Sequence, residues 1–63
     1  MMVRVGDVIE IIWMEGEPQY SGVRGRVTHI DSIGQIHGTW GGCAVIPTTD
    51  RYEVVEKNEG LVE

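Results

Sequence analysis

The chain has 63 residues and a formal net charge of -5 at pH 7. This length corresponds to one small domain that buries about 60% of the surface its unfolded form exposes, which leaves little room for a deep catalytic cleft. The acidic balance disfavours nucleic-acid binding, because contacts with phosphate depend on clustered Lys and Arg.

The apolar composition predicts an all-β fold. Val and Ile together number sixteen, against a single Leu (Leu61), a single Ala (Ala44) and no Phe. Because β-branched side chains lose rotamer freedom in helices and fit a pleated strand, this composition disfavours a helical bundle. The nine Gly residues favour tight turns between short strands.

The expected setting is the reduced cytoplasm, without membrane insertion. Cys43 is the only cysteine, so no internal disulfide can form, and residues 1–7 contain no long apolar stretch of a signal peptide. The longest apolar run, residues 11–14, is far shorter than the roughly 20 residues of a membrane-spanning helix.

Turn signals divide the chain into five predicted strands. The first covers residues 8–14, and a loop over 15–22 leads to the second strand over 24–30. The third covers 34–40, and a short strand over 43–46 ends at Pro47. A one-turn helix over 47–50 and a last strand over 52–55 complete the predicted domain, residues 1–56. Residues 57–63 are predicted to be an acidic, frayed tail.

Period-two alternation predicts which side chains face the core. Ile9, Ile11 and Trp13 share the inner face of the first strand, and Ile36 and Trp40 share the inner face of the third. Gly38, inside the third strand, predicts a bend or a close backbone approach. Four apolar residues are predicted to face outward: Val8, Ile12, Val45 and Val55.

Several segments resemble the KOW-type part of SH3-like small barrels. They are VGDVIEI (5–11), YSGVRGRV (20–27), ID (30–31) and GQI (34–36), and the segments AVIP (44–47) and DRYEVV (50–55) also suit such a barrel. The resemblance implies a five-stranded SH3-like barrel with a one-turn helix before the last strand. It also implies nucleic-acid contacts linked to transcription or the ribosome, although the first loop carries Glu15 and Glu17 and no Lys.

Two further segments, WMEGEP (13–18) and IGQIHGTWGGCA (33–44), make the resemblance more particular. They are similar to a family of short proteins described only as a domain of unknown function. The resemblance implies an origin in Gram-positive bacteria, their phages and conjugative elements. It implies no activity and assigns no functional residue.

The two tryptophans have two interpretations. Trp13 and Trp40 can plug the two ends of a core that contains no Phe, since aromatic side chains bury large areas. Alternatively, Tyr20, Trp40 and Pro47 line a shallow groove that binds a peptide or stacks on bases.

Arg24 and Arg26 also have two interpretations. Because they are two residues apart on one strand, they project from one face, and with His37 they form the candidate nucleic-acid contact. Alternatively, they are solvated strand residues that pair with Glu10 on the neighbouring strand.

No residue pattern predicts catalysis, a cofactor or a metal. His29, His37 and Cys43 lack the short paired spacing of a structural zinc site. Asp31 and Asp50 are predicted to be solvated turn residues, because no pair of carboxylates is placed in an apolar pocket.

The sequence therefore favours a non-catalytic interaction module that binds a protein partner or forms a homodimer. Apolar residues in excess of the core, Val8, Ile12 and Val45 among the candidate partner contacts, indicate a covered surface. The alternative is an accessory nucleic-acid-binding protein of the KOW type. A small metal-binding protein or enzyme is a remote third hypothesis.

Overall fold

The computed structural model describes residues 3–58, which form one antiparallel sheet of four strands. The strands are β1 (Val8–Trp13), β2 (Arg24–Ile30), β3 (Ile36–Gly38) and β4 (Arg51–Glu56). They lie in the order β3-β2-β1-β4, so β1 pairs with both β2 and β4. The all-β prediction is confirmed, whereas the five strands and the closed barrel are not observed.

The predicted fourth strand is reduced to one bridge. Val45 pairs with Ile36, and the two residues exchange backbone hydrogen bonds of 2.8 and 2.9 Å. Because residues directly opposite each other on neighbouring strands share a face, Val45 points into the core with Ile36. The prediction that Val45 faces outward is therefore wrong. Val45 is 0% exposed, and Ile46 is exposed instead.

The predicted one-turn helix before the last strand is also wrong. Residues 47–49 form a hydrogen-bonded turn, closed by the amides of Thr49 and Asp50, which both donate to the Ile46 carbonyl. The single helical turn in residues 3–58 is a 3-10 helix, Pro18–Tyr20, in the loop after β1. Pro18 favours a helix start there because its ring sets φ to a helical value. Its missing N–H costs no hydrogen bond, since the first amides of a helix have no partner within the helix.

The core lies on one face of the sheet. Among residues 3–58 it consists of seven buried apolar side chains, Ile9, Ile11, Met14, Val27, Ile36, Trp40 and Val45. Ile9 and Ile11 face inward as predicted. Trp13 does not, and its prediction as a core residue is wrong.

A bulge in β1 explains the exposure of Trp13. The β1–β4 register shifts between Ile11 and Trp13, so Ile12 is an extra residue without an opposing partner on β4. An extra residue breaks the alternation of faces and moves the next inward position along by one. Met14 consequently fills the core at 2% exposure, and Trp13 is 43% exposed.

Two buried carboxylates connect segments distant in the chain. Asp50, predicted to be solvated, is buried and accepts hydrogen bonds from the backbone amides of Glu15 and Ile46. Asp7 is buried and accepts hydrogen bonds from the Lys57 ammonium and the Asn58 amide. Lys57 and Asn58 belong to the predicted tail, and the rest of that tail, 59–63, lies outside the described residues.

Candidate functional site

The outer side of the β1–β4 pair carries several exposed apolar side chains. Ile12, Trp13 and Val55 are all exposed, and Val8 is half-buried. Val55 lies at a second register shift, between the pairs Val8–Glu56 and Ile9–Val54. We call the four apolar residues together with Glu10 and Glu53 the β1–β4 outer face.

The charges of the β1–β4 outer face lie between its apolar ends. Glu10 is opposite Glu53 in the register of β1 with β4, and opposite Arg24 in the register with β2. The Arg24 Nε atom lies 3.0 Å from Oε1 of Glu10, so the predicted pairing of Arg24 with Glu10 is confirmed. Glu53 is exposed. Trp13 and Ile12 lie at one end of this acidic pair, and Val8 and Val55 at the other.

The predicted groove of Tyr20, Trp40 and Pro47 is not assembled as a surface of exposed aromatic rings. Trp40 is 8% exposed, its ring packs on Gly25 and Gly38, and its Nε1 donates a 2.8 Å hydrogen bond to the Cys43 carbonyl. Trp40 is therefore a core residue, as the first interpretation of the tryptophans predicted. Pro47 is exposed in the turn after Val45.

Gly25 and Gly38 make the burial of Trp40 possible. A Cβ atom at Gly25 would lie 2.8 Å from Cε3 of Trp40, and one at Gly38 would lie 2.6 Å from Cη2 of the same ring. These distances are shorter than van der Waals contact, so only a residue without a side chain fits at either position. The predicted close approach at Gly38 is thus the packing of the indole ring.

Tyr20 is half-buried against the core beside the segment that follows Trp40. Its hydroxyl lies close to Gly41 and forms a hydrogen bond with the Cys43 side chain. Electrostatic repulsion from Cys43 is the largest cause that raises the pKa of Tyr20, and the hydrogen bond to Cys43 adds to it. This contact fastens the 3-10 turn to the 41–43 segment.

The three residues of the candidate nucleic-acid contact all have partners within the chain. Arg24 pairs with Glu10, and the Arg26 guanidinium donates a 2.6 Å hydrogen bond to the Gly6 carbonyl. His37 lies 3.0 Å from the Asp31 carboxylate through its Nε2 atom. A phosphate group would have to compete with each of these contacts.

Asp31 organises the β2–β3 turn. Its Oδ1 atom accepts hydrogen bonds from the amides of Ile33 and Gln35, and its other oxygen faces His37. The hydrogen bond with His37 is the largest cause that lowers the pKa of Asp31. The turn presents Ile33 at 76% exposure, a single exposed side chain that the sequence analysis did not single out.

The pKa of Asp7 is also lowered, although burial alone would raise it. The burial effect is outweighed by hydrogen bonds from the amides of Asn58 and Arg4 and by the Lys57 ammonium. Asp7 therefore acts as an ionised anchor between the turn before β1 and the chain after β4.

Metal ligands do not cluster in the described part of the chain. The rings of His29 and His37 lie 5.5 Å apart across β2 and β3. No group of three or more His, Cys, Asp or Glu residues between positions 3 and 58 could hold a metal ion. Over the same residues, no helix is long and apolar enough to cross a membrane.

Trp13 is the apolar residue of the β1–β4 outer face that the sequence analysis missed. Its alternation with Ile9 and Ile11 predicted burial, and only the register of β1 with β4 reveals the bulge that turns it outward. The one available signal was Met14, an apolar residue directly after Trp13 that can take over the inward position.

Comparison with known proteins identifies a family but no activity. The comparison with curated proteins and the comparison with solved structures each returned no significant match. A family model described as a domain of unknown function, DUF4314, matches residues 3–55. This match spans most of the chain and agrees with the resemblance of its tryptophan- and glycine-containing segments. The chain therefore belongs to the DUF4314 family.

Proposed function

We propose that this chain is a non-catalytic interaction module that binds a protein, either a different partner or a second copy of itself, through the β1–β4 outer face. The exposed Trp13 carries this proposal. Tryptophan is enriched among the residues that contribute most to protein interfaces, because its large ring gains much contact area at little cost in conformational entropy.

The surroundings of Trp13 support this function. Ile12 lies next to it and is also exposed, while the backbone beside them is held by the hydrogen bond from the Glu15 amide to Asp50. A partner would thus meet a pre-positioned apolar surface, which lowers the entropic cost of binding. Arg51, opposite Trp13 on β4, and Glu53 place charges beside these two apolar side chains.

We further propose that the sheet is an SH3-like arrangement. In support, β1 pairs with both β2 and the last strand, β4, and the bridge between Val45 and Ile36 extends the sheet beyond β3. The expected bacterial or phage origin and cytoplasmic setting rest on the sequence resemblance and on the single cysteine.

The proposal is tested by quantitative affinity capture from a bacterial extract. We compare the unmodified chain with a chain carrying Ile12→Ser and Trp13→Ser, and with Ile33→Ser as the control, since Ile33 is exposed in a different region. Proteins retained by the unmodified chain and by Ile33→Ser, but lost with the double substitution, are the expected result. Identical capture by all three, together with a constant sedimentation coefficient at all concentrations, would overturn the proposal.

The same preparation tests the KOW-type alternative. Labelled single-stranded RNA and duplex DNA are titrated at low salt, where phosphate contacts are strongest. The proposal expects no binding at tens of micromolar protein. Binding that is abolished by Arg24→Ala with Arg26→Ala would replace it by the nucleic-acid function.

A further inference from the structure

β4 is a six-residue strand at one edge of the sheet. It pairs with β1 on one side, and no strand within residues 3–58 pairs with its other side. The unpaired amides and carbonyls of such an edge are a template for pairing with another strand.

Charges along β4 make this edge complementary to itself. Arg51 and Glu53 are two residues apart, both are exposed, and neither forms an ion pair within residues 3–58. Glu53 also lies opposite Glu10, whose carboxylate already pairs with Arg24. Like charges directly opposite each other are destabilising, so a cation beside Glu53 would stabilise it. No described residue of the same chain forms an ion pair with Glu53.

We propose that two copies of this chain pair through their β4 edges in an antiparallel dimer with its two-fold axis at Tyr52. This proposal rests on the proposed function and names a second copy as the partner. In this register Arg51 of each copy lies opposite Glu53 of the other, which forms two opposite-charge pairs. Tyr52, which is half-buried at the edge, lies opposite Tyr52 of the other copy.

The neighbouring registers are less favourable. In a two-fold antiparallel pair, the numbers of opposed residues add up to twice the number of the central residue. An axis at Glu53 therefore places two Glu53 carboxylates opposite each other, and an axis at Val54 places Arg51 opposite Lys57. Both place like charges opposite each other, so among these three registers the charges favour Tyr52 as the centre.

The dimer would also join the two outer faces. One row of directly opposed residues would then run across both sheets. It consists of Arg24, Glu10 and Glu53 of one copy, followed by Arg51 and Trp13 of the other. In this row the two adjacent acids are flanked by one arginine on each side. The interface is isologous and closes after two copies, so it forms a dimer and not a fibre.

Charge-reversal variants test the pairing. Their association is measured by sedimentation equilibrium at protein concentrations from about ten micromolar to about one millimolar, the range in which weak interfaces associate. We expect the mass of the unmodified chain to rise from monomer to dimer. Arg51→Glu and Glu53→Arg should each weaken association by about tenfold or more, since each places like charges opposite each other twice.

The decisive experiment mixes the two variants and should restore the dimer. A chain with Arg51→Glu presents two acids and a chain with Glu53→Arg presents two bases, so a heterodimer regains both pairs. Glu56→Arg is the matched control, because it makes the same change in charge on β4 outside the paired residues. Circular dichroism confirms that each variant is folded, which is expected because the altered side chains are exposed.

Two results would overturn the edge pairing. One is a monomer at about one millimolar, and the other is a dimer that Arg51→Glu leaves unchanged. Either result leaves the proposed function standing if affinity capture still depends on Ile12 and Trp13. Conversely, capture that is independent of these residues, together with a dimer restored only by the mixture, would confine binding to the β4 edge.

Discussion

The two tryptophans lie in two regions that treat the same type of side chain in opposite ways. The Trp40 region comprises Gly25, Gly38, Trp40 and Cys43. Its two glycines, on β2 and β3, have no side chain and so leave room for an indole ring. The Trp13 region, which comprises Ile12, Trp13, Met14 and Asp50, inserts an extra residue into β1 and turns the ring outward. Local backbone geometry, and not hydrophobicity, decides which tryptophan is buried.

The largest expected effect is that of Trp40→Ala. The ring is almost fully buried among core side chains and donates a hydrogen bond to the Cys43 carbonyl. Its removal should lower the free energy of unfolding by about 3–5 kcal/mol, as for other large-to-small changes in a core. Urea unfolding followed by circular dichroism measures the loss. A loss below about 1 kcal/mol would contradict the assignment of Trp40 to the core.

The next effect distinguishes Met14 from Trp13. Met14→Ala should cost about 2–5 kcal/mol because it empties a buried position, whereas Trp13→Ser should cost less than about 1 kcal/mol. Without the bulge, the ranking would be reversed, since Trp13 would then be the inward residue. Unfolding free energies of the two variants, measured under the same conditions, decide between the two registers.

Gly38→Ala tests the space beneath Trp40. The added methyl group would meet the indole ring, and overpacking of this kind costs about 1–3 kcal/mol. Gly42→Ala is the control, because a Cβ atom at Gly42 meets no atom within 4 Å. Thermal unfolding should show a clear loss for Gly38→Ala only, and equal melting temperatures would argue against the close packing of the ring.

The smallest expected effect concerns Asp31, which lies in neither tryptophan region. Its lowered folded-state pKa means that its stabilising contribution is present above its unfolded pKa of about 3.8 and is lost as pH falls through the folded value. Asp31→Asn should therefore reduce the loss of stability between neutral pH and pH about 3. The contribution is small because the pair with His37 is partly exposed and screened by solvent.

Urea unfolding of Asp31→Asn at several pH values measures this contribution. The asparagine side chain can still accept hydrogen bonds from the Ile33 and Gln35 amides, so the turn is retained. An unchanged pH dependence would show that the ionised Asp31 carboxylate contributes nothing to stability. Exposed Trp13 and buried Trp40 provide fluorescence signals from the two regions during the same unfolding experiments.

Residue patterns close to one another in the chain predicted much of the fold. The bounds of β2 agree with the prediction, because Gly22 and the Asp31 turn mark both ends of an alternating segment. The third predicted strand shortens to Ile36–Gly38, since the chain turns at Thr39 to place Trp40 over the two glycines. The predicted outward positions of Ile12 and Val55 agree with their exposure.

Residue patterns could not predict that Trp13 belongs to the candidate site. The roles of Trp13, Val45 and Asp50 depend on contacts with strands or turns elsewhere in the chain, such as the Glu15 amide that lies 35 residues from Asp50. Alternation assumes an unbroken ladder, and a bulge is a property of two paired strands. No single segment contains this information.

The sequence by itself determined that this protein is a small all-β domain with more apolar side chains than its core uses. The reason is local, because β-branched residues and glycines restrict the backbone wherever they occur. Only the tertiary structure decided that Trp40 is buried, that Trp13 joins Ile12 on the exposed surface, and that Arg51 and Glu53 lie on an edge strand of the sheet formed by residues 3–58. Those outcomes depend on strand register, which is set by pairing between distant segments.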